Sequence, residues 1–103
     1  MKIMHIGVPT TQVQKDEMFM DGLKFYITDP DKSEFGFEYL RFVPGTPLPE
    51  SLQFRTHVAV QVDNFDELIK KYPPIFGPAV VDEHLTIAFI ETEHTLLELM
   101  DVH

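Results

Sequence analysis

Two stretches in the second half of the chain, Thr56-His57-Val58-Ala59-Val60-Gln61-Val62 and Thr95-Leu96-Leu97-Glu98-Leu99-Met100, decide how the rest is read. Both carry strand character, with apolar residues that recur along a short run bounded by polar or turn residues. The first places a histidine where the chain enters an apolar strand, and the second places a glutamate inside one. The first half does the same, with His5 in Lys2-Ile3-Met4-His5-Ile6-Gly7-Val8 and Glu38 in Phe35-Gly36-Phe37-Glu38-Tyr39-Leu40-Arg41-Phe42. A supersecondary unit used twice, with equivalent strands meeting about a pseudo-twofold axis, would set His5, Glu38, His57 and Glu98 at its centre. Inside an apolar fold such a quartet is stabilised by a metal ion or by a hydrogen-bonded network, which makes these four the candidate site.

Composition bounds the idea. A chain of 103 residues is ordinary for one domain and too short for two independent cores, so residues 1–103 are read as a single domain of two similar halves, 1–43 and 56–103. The hydrophobic fraction of 44%, the charged fraction of 24% and nine phenylalanines are those of a globular protein with large core side chains. With 17 acidic against 8 basic residues the net charge of -9 opposes attraction to nucleic acid or to anionic membrane surfaces, and neither is expected as a partner. The absence of cysteine excludes disulfides and thiolate chemistry, so any metal must be held by nitrogen and oxygen. No apolar run approaches the length that spans a bilayer, and a cytoplasmic location is the expectation.

Along the chain, Lys2 to Val8 alternates as a half-buried strand that ends at Pro9. Residues Thr11 to Asp21, behind Thr10 and Thr11, are expected to hold one short helix or an irregular turn of helix. Leu23 to Thr28 and Glu34 to Val43 read as strands of a hairpin across Asp29-Pro30-Asp31. Pro44-Gly45-Thr46-Pro47-Leu48-Pro49 is too rich in proline for either regular structure and lies where a linker between repeats belongs. Thr56 to Val62 opens the second half, and Asn64 is an N-cap candidate for an amphipathic helix carrying Phe65, Leu68 and Ile69 that stops at Tyr72-Pro73-Pro74. Ala79 to Val81 reads as an edge strand, and Leu85 to Ile90 with Thr95 to Met100 as a hairpin across Glu91 to His94.

The pattern resembles the vicinal oxygen chelate superfamily, which includes glyoxalase I, extradiol dioxygenases, methylmalonyl-CoA epimerases and fosfomycin- and bleomycin-resistance proteins. The resemblance rests on His5-Ile6-Gly7-Val8, Phe37-Glu38-Tyr39-Leu40, Thr56-His57-Val58-Ala59-Val60 with Val62-Asp63-Asn64 leading into a helix, Gly77-Pro78, and Ile87-Ala88-Phe89-Ile90 running to Leu97-Glu98-Leu99. It implies an α+β fold of paired β-α-β-β-β modules forming an open, glyoxalase-like barrel, with metal ligands at His5, Glu38, His57 and Glu98. It also implies a homodimer. The chain is a compact member of this pattern, because the region between Pro9 and Leu23 is short and Glu91-Thr92-Glu93-His94 replaces the usual Asp-Pro-x-Gly turn.

Donor chemistry gives the ligand set a rationale of its own. Two imidazoles and two carboxylates compensate a divalent charge, and the mixed set suits nickel, zinc, cobalt, iron or manganese better than calcium or magnesium. A metal that chelates adjacent substrate oxygens stabilises the charge left when a proton is removed from the neighbouring carbon, and Glu98 or Glu38 is the candidate base, with Glu98 favoured. The expected function is therefore a metal-dependent glyoxalase-like lyase or isomerase acting on a small substrate with adjacent oxygen donors. The alternatives are a non-catalytic small-molecule binder resembling bleomycin-resistance proteins and an extradiol-type dioxygenase. Arg41 and Arg55 are candidates to pair with an anionic substrate or to be solvated surface, His84 and His94 belong to loops or hairpin tips, and the Asp82-Glu83 cluster with Glu91 and Glu93 reads as a solvated edge.

Overall fold

The computed structural model describes all 103 residues. They form β1 (Lys2–Pro9), β2 (Met18–Met20), β3 (Phe25–Ile27), β4 (Phe37–Phe42), α1 (Glu50–Phe54), β5 (His57–Gln61), α2 (Phe65–Lys71), β6 (Phe76–Asp82), β7 (Leu85–Thr92) and β8 (Thr95–Val102). The protein is mostly sheet with two short α-helices. It divides into two compact units, one of Met1–Met4 with His57–His103 and one of His5–Thr56. No helix is long and apolar enough to cross a membrane.

In the unit that contains His57–His103 the strands follow the order β5-β8-β7-β6. β5 runs parallel to β8, whereas β7 is antiparallel to both β8 and β6. Phe65, Leu68, Ile69 and Tyr72 occupy positions i, i+3, i+4 and i+7 of a helical stripe, which is why the segment after β5 coils rather than extends. Asp66 and Glu67 stand in its first turn and Lys70 and Lys71 in its last, complementing the helix dipole. The stripe packs with Val60, Val62, Ala88, Ile90 and Leu99 into one core. These are the strand residues out of phase with His57 and Glu98, so the helix covers the sheet face opposite the candidate ligands. At the sheet edge Gly77 has φ +89, and a Cβ there would meet the Ile87 carbonyl oxygen at 2.8 Å, so only glycine fits the bulge between β6 and β7.

In the unit His5–Thr56 the order is β2-β3-β4-β1, with β1 parallel to β4 and the other neighbours antiparallel. The β3–β4 connection holds a 3-10 turn at Pro30–Lys32, and the Asp29 side chain accepts from the Asp31 N–H at 2.9 Å. Strand β2 is the outer edge of this unit, and Met18, Phe19 and Met20 are all exposed along it.

One expectation needs correction, and one helix lies where none was expected. The segment Thr11–Asp21 forms no helix: it is an irregular loop followed by β2. Its backbone is claimed by side chains, with Gln12 N–H donating to Thr10 Oγ1 at 3.1 Å and Gln14 N–H to Glu17 Oε2 at 3.1 Å, while Asp16 takes a left-handed φ of 62. Such local bonds compete directly with the helical ladder. The first half thus runs β-β-β-β, while the second has the order β-α-β-β-β. The connection after Pro49, in turn, holds a helix that proline content hid: α1 is anchored by Leu52, which is only 2% exposed. A five-residue helix behind proline punctuation is too short to show a periodic stripe.

Candidate metal centre

His57 and Glu98 come together because β5 and β8 are parallel and in a fixed register. Ala59, two residues after His57, is the register partner of Glu98, so the two side chains project from the same face. His57 Nε2 lies 3.1 Å from Glu98 Oε1, and with the carboxylate ionised the ring N–H donates. His57 is 1% exposed and Glu98 7%. The edge of one ring meets the face of the other where His57 packs against Phe89, with centroids 5.0 Å apart at 87°. That contact fixes the plane of the imidazole and keeps water from it.

His5 and Glu38 repeat the device in the other unit. Gly7, two residues after His5, is the register partner of Glu38 on the parallel strand β4, and His5 Nε2 lies 3.4 Å from Glu38 Oε1. His5 is 8% exposed. The offset between histidine and glutamate is therefore the same in both halves, although the sequences between them differ. The strand reaches its register partly through Ile6 N–H, which donates to the Gly36 carbonyl at 3.0 Å.

All four side chains are of metal-ligating type, and each offers one donor atom, a ring nitrogen or a carboxylate oxygen. Two donors bound to one ion at metal–ligand distances near 2.1 Å stand about 3.0 Å apart at a right angle and about 3.4 Å apart at the tetrahedral angle. The separations of 3.1 Å and 3.4 Å span that range, so each pair fits a chelating half-site. Unpaired, a buried carboxylate is costly, and each of these has an imidazole to meet it.

Other polar residues singled out by sequence are placed elsewhere. Arg41 alternates with Glu38 along β4, so its side chain projects to the other face of that strand. There it is engaged by Glu17: its Nε donates to Glu17 Oε2 at 3.2 Å, an Nη donates to Oε1, and the guanidinium lies 4.1 Å from the centre of the Tyr26 ring. The bond from Arg41 holds the Glu17 carboxyl below its ordinary pKa, and the same bond raises that of the guanidinium. Arg41 is thus a loop clamp rather than a free substrate anchor, and no spacing rule links it to Glu17 across the intervening strands. Among the loop histidines, His84 is exposed, with Nδ1 2.9 Å from the His103 carbonyl oxygen and Nε2 3.3 Å from Glu83. His94 sits at an exposed turn with Glu93, both at positive φ. The residue that sequence reasoning did not assign to the site is Phe89, and its position one register step across from Glu98 in the β7–β8 pairing is the signal that locates it. Comparison of the chain with protein-family models, with curated proteins and with solved structures finds no match in any of the three, and the doubled histidine–glutamate register is what the molecule itself offers to a functional reading.

Proposed function

We propose that the two pairs together hold one divalent cation and that the protein is a metal-dependent lyase or isomerase of glyoxalase-like type, acting on a small substrate with adjacent oxygen donors. The observation that carries this reading is the repeated register, histidine on one strand and glutamate level with the residue two positions on, in both halves. Two neutral imidazoles and two carboxylates match a divalent charge, and their nitrogen and oxygen donors favour nickel, zinc, cobalt, iron or manganese. When bound, the ion supplies Lewis acidity to negative charge developing on neighbouring substrate oxygens.

The remaining work falls to the chain. Phe89 holds the His57 ring in plane and excludes water from it. The Glu98 carboxylate would take the proton from the hydroxyl-bearing carbon next to a carbonyl and return it to the former carbonyl carbon, while the hydroxyl proton passes to the former carbonyl oxygen, so that the net change is an isomerisation and no redox partner is needed. Glu38 is its counterpart in the other half and the second candidate base.

Metal content of protein purified without chelator, compared with His5→Ala and His57→Ala variants checked to be folded, tests the reading. Near-stoichiometric divalent metal in the parent and its loss in both variants is the expected result, followed by exchange of the α-proton of an α-hydroxycarbonyl or hemithioacetal probe in deuterated water. A parent that takes up no divalent metal after reconstitution ends the lyase reading and makes a metal-free small-molecule binder the better account.

A further inference from the structure

The unit His5–Thr56 contains an open groove of about 730 Å³, within the size range of small-molecule sites. It lies where β1 and β4 end and α1 returns, and it is lined by Phe42, four residues beyond Glu38 on the same strand. That spacing puts it about 13 Å along the strand from the carboxylate, so it is a separate site.

Its lining is unusual for this chain. No charged residue borders it, although charged residues make up 24% of the sequence. The polar positions are hydroxyls and amides, including Thr11, Gln12, Thr46 and Gln53, and the apolar ones include Phe42 and Phe54. Several of the polar groups are already held in place by the backbone. Gln53 Nε2 donates to the Leu48 carbonyl at 3.0 Å, which leaves its oxygen to accept, and Thr46 Oγ1 donates to the Leu23 carbonyl at 2.7 Å. Phe54, at the end of α1, is 73% exposed and presents its ring to solvent.

We infer that this groove is a binding site for an uncharged, hydroxyl-rich ring compound, the chemistry of a neutral sugar. A metal ion would need carboxylates or imidazoles in the wall, a compact ammonium ion gains most from carboxylates that the wall lacks, and an anion would need lysine or arginine there and would face the field of a chain of net charge -9. A purely apolar ligand would leave the amides and hydroxyls unpaired. A neutral sugar ring meets both halves of the lining: its hydroxyls donate to and accept from fixed amide and hydroxyl groups, and its C–H face packs on phenylalanine.

The test is an amide-resolved NMR titration of the intact chain with methyl β-D-glucopyranoside, with sodium gluconate and 1-pentanol as charged and apolar controls. Saturable shifts confined to the groove residues, obtained with the glucoside and not with either control, are expected. Phe54→Ala weakens that binding about tenfold, equivalent to about 1.4 kcal/mol, and Gln53→Ala weakens it too. Because Phe54 is largely exposed its truncation leaves the fold intact, and the unperturbed spectrum of the variant verifies this. The inference is overturned if no saturable shift appears, if the shifts map elsewhere, if Phe54→Ala binds as the parent does, or if gluconate or pentanol perturbs the groove as strongly. Repeating the titration on His57→Ala separates the two proposals, since the groove keeps its ligand whether or not the protein holds a metal.

Discussion

The two halves of the chain build the same histidine–glutamate pairing on different support. In the second, β5 and β8 are backed by α2 and a contiguous core, and His57 is nearly sealed, with Phe89 against its ring. In the first, no helix follows β1, His5 retains more exposure, and the donor atoms stand further apart, 3.4 Å against 3.1 Å. The pairing therefore depends on parallel strand register rather than on a helix behind it. The helix adds apolar packing behind the second pair that the first lacks, so we expect the second half to be the fixed partner and the first the adjustable one.

For the metal site proposed above, the largest expected effect is on affinity for the ion. Loss of a supporting partner typically costs about 10–100-fold, so removal of a ligand should exceed that for both His57→Ala and His5→Ala, with the larger loss at His57. Phe89→Leu, which leaves every donor in place, should fall within the supporting range. Isothermal titration with zinc and nickel reads all three; metal retained by His57→Ala and lost by His5→Ala would invert the assignment of fixed and adjustable halves.

A smaller effect concerns stability. Phe65→Ala, emptying the centre of the α2 contact, should cost about 3–5 kcal/mol in urea unfolding. Tyr39→Ala, at a half-buried position of β4, should cost less than about 2 kcal/mol. Equal losses would mean that the loop Thr10–Glu17 packs its face as well as α2 packs the other.

The clamp on that loop has a pH signature. Glu17 titrates below its ordinary value in the folded protein because Arg41 bonds its ionised form. A depressed folded pKa contributes stability that is present above the unfolded glutamate pKa and is lost as pH falls through the lower folded value. Thermal melts should therefore show Glu17→Gln less stable than the parent near neutrality and the gap closing under acid conditions. A gap that widens with acid would contradict the clamp.

The smallest expected change is at Asn64. It occupies the N-cap position of α2 but makes no side-chain capping bond, so Asn64→Ala should cost only a few tenths of a kcal/mol where a working cap is worth about 1. A larger loss would mean that the cap forms in solution and that the helix-backed half has a further prop.

What could be read from sequence follows from how locally each feature is encoded. Strand β5, helix α2 with its Phe65, Leu68 and Ile69 stripe, and the β7–β8 hairpin announce themselves through periodicity and through the Pro73-Pro74 stop. The pairing of each histidine with its glutamate was legible as a repeated motif, but its exact register was not, because that is set by strands distant in sequence. The loop at Thr11–Glu17 misleads because Thr10, Glu17 and Arg41 satisfy its backbone and charge through side chains, a contest that apolar spacing does not report. The β7–β8 turn is legible as a polar break between two apolar strands, but its backbone geometry is not: Glu93 and His94 both adopt positive φ without the asparagine or glycine that usually marks such a turn.

The bare edge of β2 has a colloidal consequence. Met18-Phe19-Met20 offers unpaired backbone groups and apolar side chains to any other strand, the combination from which intermolecular sheets grow. Asp16 and Asp21 bracket it as exposed like charges and act as gatekeepers against stacking of copies. Their protection is electrostatic and weakens as salt screens it. In high-salt solution, association of copies is therefore expected to begin at this three-residue margin rather than through opening of the core.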